Sequence, residues 1–156
     1  MDTLKQAKED LRENFDKGSE CQCCGQFVKR YKRALNGTMS GMLIAVYVNS
    51  GREYVHVNKL LSKNPRFRSV AGGGDFTKLA HWGLVEQQIG KRSDGSKRNG
   101  WWRVTQRGED FINQKILVAS HVYLYNGNFI GYEEKSISIL KSLGKKFNYD
   151  ELMAGI

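Results

Sequence analysis

The sequence predicts an α+β fold built from short elements, and three observations support that prediction. Apolar residues recur every three or four positions in several segments, which is the period of an amphipathic helix. Two pairs of short segments rich in β-branched or aromatic residues flank the hairpin-turn dipeptides Asp94-Gly95 and Asn126-Gly127. The chain of 156 residues is long enough for one packed core with smaller appendages.

The N-terminal segment predicts an amphipathic helix over residues 3–17. Its apolar stripe consists of Leu4, Ala7, Leu11 and Phe15. This stripe needs to be buried, either against the rest of the chain or against a second copy in a homodimer. Gly18 ends the helix, and after a cysteine cluster the strongly basic residues 27–33 predict a strand or an extended arm.

The middle of the chain predicts a buried helix over residues 39–49, with Thr38 as its N-cap. The run Met42–Val48 lies in this helix and is the longest apolar run of the sequence. The elements predicted next are a short strand over 54–57, a brief helix over 59–63 capped by Asn58, and a loop over 64–74 that holds the single proline and three consecutive glycines.

Residues 75–115 predict a compact pattern of helix, strand, hairpin loop, strand and helix. Its elements are a helix capped by Asp75 and ending at Gly83, a strand over 84–88, a polar hairpin over 89–100, a return strand over 101–104, and a helix capped by Thr105 that ends near Lys115. The C-terminal region then predicts a hairpin formed by 122–125 and 129–132, and short helices over 136–143 and 150–153. We therefore predict three parts, which are an N-terminal helix, knuckle and basic arm over 1–37, a central domain over 38–116, and a C-terminal hairpin with a helical extension over 117–156.

A helical projection of residues 76–83 separates two faces. The face predicted to join the core holds Phe76, Leu79, Ala80 and Gly83. The opposite face holds Thr77, Lys78 and His81, whose side chains are of the types that reach base edges and phosphates in the DNA major groove. Trp82 lies at the border and is predicted to pack rather than to contact DNA. The simpler alternative is a surface helix with no partner.

The hairpin after this helix is the most basic region of the chain. Within residues 91–107 one acidic residue, Asp94, stands against six basic ones, namely Lys91, Arg92, Lys97, Arg98, Arg103 and Arg107. A basic hairpin suits the phosphate backbone or the minor groove of DNA. Hairpin tips are often charged simply because they are solvated, but this charge lies next to the predicted DNA-contacting face. We therefore predict that DNA also contacts Lys91, Arg92, Lys97, Arg98 and Arg103.

This order of elements is the one that a winged helix needs, and specific residues carry a resemblance to that class. Residues 39–112 resemble the winged helix-turn-helix proteins of bacteria and phages and are similar to regulators of the multiple-antibiotic-resistance type. The segments that carry the resemblance are Leu79-Ala-His-Trp-Gly-Leu-Val-Glu86 and Arg103-Val-Thr-Gln-Arg-Gly-Glu-Asp-Phe111. The whole chain also resembles small uncharacterised phage and prophage proteins that join a Cys-x-x-Cys-Gly knuckle to such a domain. The resemblance implies a winged helix core and, as in many such regulators, a homodimer, although the loop 64–74 is longer than the usual turn.

The three cysteines crowd into one short segment, at Cys21, Cys23 and Cys24. Cys21 and Cys24 have the spacing of a zinc knuckle, and Gly25 follows where the backbone must turn tightly. We predict zinc bound by Cys21 and Cys24, with Cys23 as a candidate third ligand, although adjacent cysteines rarely bind one ion. A tetrahedral site needs four ligands, so a histidine would have to be brought near by the fold. A redox pair and three ordinary thiols in a turn are the alternatives.

Composition and missing motifs narrow the function. A formal net charge of +9 favours a polyanionic partner, because each neutralised phosphate releases counterions. The sequence has no phosphate-cradling glycine–lysine motif, no metalloprotease motif and no nucleophile elbow, so we do not expect an enzyme. The charged N-terminus is no secretory signal, the longest apolar run is too short to cross a bilayer, and clustered cysteines indicate a reducing compartment. These features predict a cytoplasmic protein that does not associate with a membrane.

Together these observations predict a non-enzymatic protein that binds double-stranded DNA, in the manner of a phage or bacterial transcription regulator. Two alternatives stay open. The first is a phage-type interaction module that binds and inhibits a host protein, because many winged helices serve as protein docks. The second is an enzyme that uses Cys23 or Cys24 as a nucleophile. The sequence does not separate DNA from structured RNA as the partner.

Overall fold

The computed structural model of the protein describes residues 3–90 and 99–155. It is a mixed α+β structure with small antiparallel sheets. The helices of the described residues, in chain order, are α1 (Leu4–Glu13), α2 (Gly37–Ser50), α3 (Val57–Ser62), α4 (Asp75–Lys78), α5 (Gln106–Ile112), α6 (Ile139–Leu143) and α7 (Tyr149–Met153), with a 3₁₀ turn at Leu79–Trp82. The strands are β1 (Ser19–Glu20), β2 (Phe27–Val28), β3 (Tyr31–Ala34), β4 (Val55–His56), β5 (Val85–Gln87), β6 (Trp101–Val104), β7 (Val118–Ala119), β8 (His121–Tyr125), β9 (Asn128–Tyr132) and β10 (Ser136–Ile137).

The chain divides into two compact units, each of which uses two separate chain segments. The smaller unit contains the described part of Met1–Ala34 together with His121–Glu133. The larger unit contains Leu35–Ser120 and Glu134–Ile156, again within the described residues. The C-terminal hairpin therefore belongs to the same unit as the N-terminal helix, a grouping that the local sequence signals did not anticipate.

The smaller unit is built from one helix and two antiparallel sheets. Thr3 begins α1 through a capping box with Gln6, in which each side chain bonds the backbone N–H of the other residue. β1 pairs with β2, and β8 lies between β3 and β9 in a three-stranded sheet. The predicted hairpin is confirmed, and its turn residues Asn126 and Gly127 have φ values of 49° and 77°. These left-handed values are those of a type I′ turn, which matches the twist of the flanking strands.

One prediction for this unit is corrected and another is confirmed. The first helix ends at Glu13 rather than near residue 17, because Asn14 caps it with its backbone N–H and side-chain amide on the carbonyl of Asp10. The basic segment 27–33 forms two short strands, β2 and β3, so that the strand alternative is confirmed. Of the apolar stripe, only Ala7 is fully buried, and Leu4 is 61% exposed.

The larger unit packs around α2, which carries no charged residue and is buried along most of its length. The predicted apolar run supplies core residues, and Met42, Leu43, Ile44 and Val46 are at most 1% exposed. The helix begins earlier than predicted, because Asn36 rather than Thr38 accepts the N–H of Met39 at 2.9 Å. A buried hydrogen bond between the hydroxyls of Ser40 and Ser142 ties α2 to α6.

A three-stranded sheet covers the same core, with β6 between β4 and β5. The register pairs Trp102 with both Val55 and Gln87, and pairs Val104 with Val85. Thr105 caps α5 as predicted, since its side chain accepts the N–H of Gly108 at 3.1 Å. The helix ends at Ile112, a few residues before the predicted end.

Two further helix caps and one element type differ from the predictions. His56, at the end of β4, caps α3 through Nδ1, so that Asn58 lies inside the first turn. Gly74, in a left-handed conformation at φ 87°, precedes α4, and Asp75 becomes the first helical residue, where a carboxylate favours the helix dipole. The segment predicted as a helix from residue 136 begins as β10, which pairs with β7, and Ser138 then caps α6.

No helix within the described residues combines the length and the apolar character that crossing a membrane requires.

Candidate functional site

The predicted DNA-contacting residues of α4 and the following turn lie on one concave surface of the larger unit. Thr77, Lys78 and His81 all line a groove with a volume of about 560 Å³, which we call the α4 groove. Its remaining wall comes from Val57 and Asn58 of α3, Gly72, Gly73 and Gly74 before α4, Gln87 of β5, and Gly100 and Trp102 at the start of β6. The structure thus brings these three residues together and adds lining residues that the sequence analysis did not select.

The position of Trp102 beside the groove was predictable in part from the sequence. Successive side chains of a strand point to opposite faces, so only one of Trp101 and Trp102 can lie on the groove side of β6. Trp102 lies on the groove side of β6 and contacts Phe76 edge to face, with ring centroids 6.4 Å apart. Trp101 lies on the other face, is 40% exposed and contacts His56. By contrast, Asn58 and Gln87 become groove residues through tertiary contacts, for which no local signal exists.

Buried side chains anchor the segment formed by α4 and the 3₁₀ turn. Phe76, Leu79 and Trp82 are buried, and the indole N–H of Trp82 donates to the carbonyl of Ala119 at 2.7 Å. The prediction that Trp82 packs is therefore confirmed. Ala80 and Gly83 were predicted to face the core and are instead exposed. Residues 79–82 form a 3₁₀ turn with three residues per turn, so a projection at 100° per residue misplaces them.

The junction between this segment and β5 is fixed by a glycine and an arginine. Gly83 takes the predicted left-handed conformation at φ 75°, which ends the turn and directs the chain into β5. Arg107 donates from Nε to the carbonyl of Trp82 at 2.9 Å. The hydroxyl of Thr105 donates to the carbonyl of Gly83 at 2.6 Å. Together these bonds fix the end of the 3₁₀ turn against the start of α5.

One wall of the α4 groove has no side chains because it consists of Gly72, Gly73 and Gly74. Backbone without Cβ atoms allows a ligand to approach closely. The hydroxyl of Thr77 donates to the carbonyl of Gly74 at 2.8 Å, which orders the glycine segment against α4. The groove therefore combines a wall of bare backbone with the positive charge of Lys78.

Arg103 lies away from this groove. It alternates with Trp102 on β6, so its side chain leaves from the opposite face of the strand. There its guanidinium forms an ion pair with Glu86 and lies 4.6 Å from the ring centroid of Tyr54. The hydrogen bond to Glu86 raises the pKa of Arg103 above its ordinary value. Arg103, which was predicted to contact phosphate, therefore interacts with a carboxylate and an aromatic ring of its own chain.

The other four predicted phosphate contacts are Lys91, Arg92, Lys97 and Arg98, and they lie outside the described residues. They belong to the connection between β5 and β6. At the start of this connection the Gln88 N–H donates to the carbonyl of Trp101, the first residue of β6, at 2.8 Å. The basic loop therefore begins and ends at the sheet that borders the α4 groove.

The cysteines form a second candidate site, in the smaller unit. They occupy the turn between β1 and β2, which is closed by hydrogen bonds from the Cys21 N–H to the Gln26 carbonyl and from the Gly25 N–H to the Cys21 carbonyl, both 2.7 Å long. Gly25 has φ 74°, so the predicted tight turn at this glycine is confirmed. All three thiols are free, and Cys23 and Cys24 are exposed.

The turn directs backbone N–H groups at the first sulfur. The N–H groups of Cys24 and Cys23 donate toward the sulfur of Cys21 and lower the pKa of that thiol below its ordinary value. Within the described residues, no group of three or more His, Cys, Asp or Glu side chains is arranged to hold a metal ion.

Two cations of the basic arm, Arg30 and Lys32, are paired with carboxylates of the smaller unit. Arg30 donates to both carboxylate oxygens of Asp16, at 2.7 and 3.0 Å, and stacks 3.9 Å from the ring centroid of Tyr123. Lys32 forms an ion pair with Glu133 at 2.8 Å. The hydrogen bond from Arg30 lowers the pKa of Asp16 below its ordinary value. This arm is therefore a weaker candidate for nucleic-acid contact than the α4 groove.

Comparison with protein-family models, with curated proteins and with solved structures finds no match to this chain. The function is therefore inferred from the residues and their arrangement alone.

Proposed function

We propose that this chain is a non-enzymatic, double-stranded DNA-binding protein, a transcription regulator of phage or bacterial type, and that its larger unit is a winged helix. The observation that carries the proposal is the α4 groove, in which Thr77, Lys78 and His81 share one surface at the base of the basic β5–β6 loop. The order α2, β4, α3, α4, β5, β6 with β6 central supports the winged-helix assignment. In this assignment α4 enters the major groove and the loop contacts phosphates.

The segment proposed to enter the major groove is short, and its length indicates how the binding energy is divided between base contacts and phosphate contacts. α4 and the 3₁₀ turn together span only Asp75–Trp82, and three of these side chains face the groove. Few base pairs can be distinguished by so few side chains, whereas the loop sequence carries four cations against one acidic residue within 91–98. We therefore expect phosphate contacts to supply most of the affinity, which makes binding strongly dependent on salt.

The test compares wild type with the double variant Lys97→Ala/Arg98→Ala on a random-sequence 30-mer duplex across a salt series. Each lost phosphate contact should reduce the slope of log affinity against log salt by about one. The matched control is Lys141→Ala/Lys145→Ala, which removes the same charge from exposed residues in and after α6. The control should keep the wild-type slope.

An unchanged slope in the loop variant would remove the loop from the proposal. Absence of binding by the wild type at low salt would reject DNA as the partner. A host protein captured after nuclease treatment would then favour the interaction-module hypothesis.

A further inference from the structure

The turn between β1 and β2 holds two cysteines at the spacing of one half of a tetrahedral zinc site. The turn is tight, because the Gly25 N–H donates to the carbonyl of Cys21 at 2.7 Å and Gly25 takes a left-handed conformation at φ 74°. Cys21 and Cys24 therefore belong to one short, hydrogen-bonded turn. Cys24 is exposed, so its sulfur is open to a partner outside the chain.

The described part of the chain does not supply the other half. Zinc in structural sites binds four ligands in a tetrahedron. Across residues 3–90 and 99–155, no three His, Cys, Asp or Glu side chains are grouped so that they could hold a metal ion. The described chain therefore offers two sulfurs, and the missing two ligands have to come from elsewhere.

The smaller unit also has little apolar core of its own. Its fully buried apolar residues, among those the structure describes, are Ala7 and Val122. Small structures that bury so little are usually stabilised by a metal, a disulfide or association with another chain. A metal shared between two chains would provide both a bound metal and an association with another chain.

We propose that one Zn²⁺ joins two copies of this chain, with Cys21 and Cys24 of each copy as its four ligands. Each thiol loses its proton to solvent as its sulfur binds the metal, and no oxidant or reductant is needed. The local charge permits two copies to approach, because residues 3–26 hold four basic and five acidic side chains, whereas the rest of the chain is strongly basic. This inference is independent of DNA binding.

The test is a zinc titration of the metal-free, full chain in a non-thiol reductant, followed by sedimentation velocity and metal analysis. Binding should saturate at one zinc for every two chains, and the mass should double from 17.8 kDa. Cobalt in place of zinc should give the absorption bands of a tetrahedral site with sulfur ligands. Chelation should return the monomer, and mass spectrometry should show no disulfide.

Four variants locate the ligands. Cys21→Ser and Cys24→Ser should abolish the zinc-dependent dimer, whereas Cys23→Ser, the matched control, should retain it. Cys24→His restores a ligand of a type that zinc accepts and should recover zinc-dependent dimerisation. Far-UV circular dichroism on each variant checks that the fold is kept.

Three results would overturn the proposal. The first is one zinc bound per monomeric chain. The second is a dimer that persists after chelation or in both Cys21→Ser and Cys24→Ser. The third is loss of the dimer in Cys23→Ser with the fold intact, since that would assign the metal to a different pair of sulfurs.

Discussion

The two units of this protein are stabilised in different ways. The larger unit buries a continuous set of large side chains, among them Phe67, Trp82 and Phe111, each 0% exposed. The smaller unit relies instead on a capping box, short strand pairs, and the stacking of Arg30 on Tyr123. A rigid core can hold a recognition surface in place, whereas exposed ion pairs contribute little.

The difference begins in the composition of the first two helices. Six of the ten residues of α1 are charged, whereas none of the fourteen residues of α2 is. A helix that is charged on most sides can bury only a narrow stripe, and α1 fully buries Ala7 alone. A helix that is apolar all round must lie inside the core, as α2 does.

The largest expected effect is at Trp82, the centre of the larger unit's core. Trp82→Ala removes a fully buried ring and its hydrogen bond to Ala119, and should lower the free energy of unfolding by about 3–5 kcal/mol. Trp101→Ala is the control, because Trp101 is 40% exposed, and it should cost about 1 kcal/mol or less. Urea denaturation followed by far-UV circular dichroism measures both, and equal losses would contradict the assignment of the core.

Two glycines test whether the larger unit is packed more tightly than the smaller one. A Cβ at Gly108 would overlap the carbonyl oxygen of Leu84 and lie 2.7 Å from a methyl group of Val104, so Gly108→Ala should destabilise the larger unit by about 1–3 kcal/mol. At Gly131, in the smaller unit, a Cβ meets no atom within 4 Å, and Gly131→Ala should change stability by about 0.5 kcal/mol or less. Thermal unfolding of both variants gives the two values, and a large loss at Gly131 would show tight packing where we infer open space.

The smallest expected effect is the pH dependence of the smaller unit. The hydrogen bond from Arg30 lowers the pKa of Asp16 in the folded state below its ordinary value of 3.8. The resulting stabilisation is complete above the unfolded-state pKa and is lost as the pH falls through the lower, folded-state pKa. Amide exchange in β3, corrected for its intrinsic pH dependence, should accelerate slightly in this range. Asp16→Asn should remove this part of the pH dependence, and an unchanged profile in that variant would exclude Asp16 as its source.

Local signals predicted most elements of the larger unit. The β5–β6 pair, the Thr105 cap and the left-handed Gly83 follow from turn and cap chemistry that is written in neighbouring residues. The three groove residues of α4 and its turn were found because they share one face. The errors at Thr38, Asn58 and Asp75 arose because several capping residues stand close together, and tertiary packing selects which one is used.

Features that depend on distant residues were not predictable from the sequence. β3 pairs with β8, and β7 pairs with β10, across long stretches of chain, and no periodicity reports such partners. The ion pair between Arg103 and Glu86 likewise depends on how β6 pairs with β5. The burial of Phe67 within the predicted loop 64–74 has the same origin, because its ring packs against Gly41 and Phe147.

The discontinuous course of the chain through the smaller unit sets the order in which the protein is completed during synthesis. β3 ends at Ala34, and its partner β8 begins only at His121, so translation of most of the larger unit separates the two. A nascent chain therefore carries an unpaired strand edge and three reduced thiols while later segments are still being made. Slower elongation between these strands would therefore lengthen the period in which the edge of β3 stays unpaired.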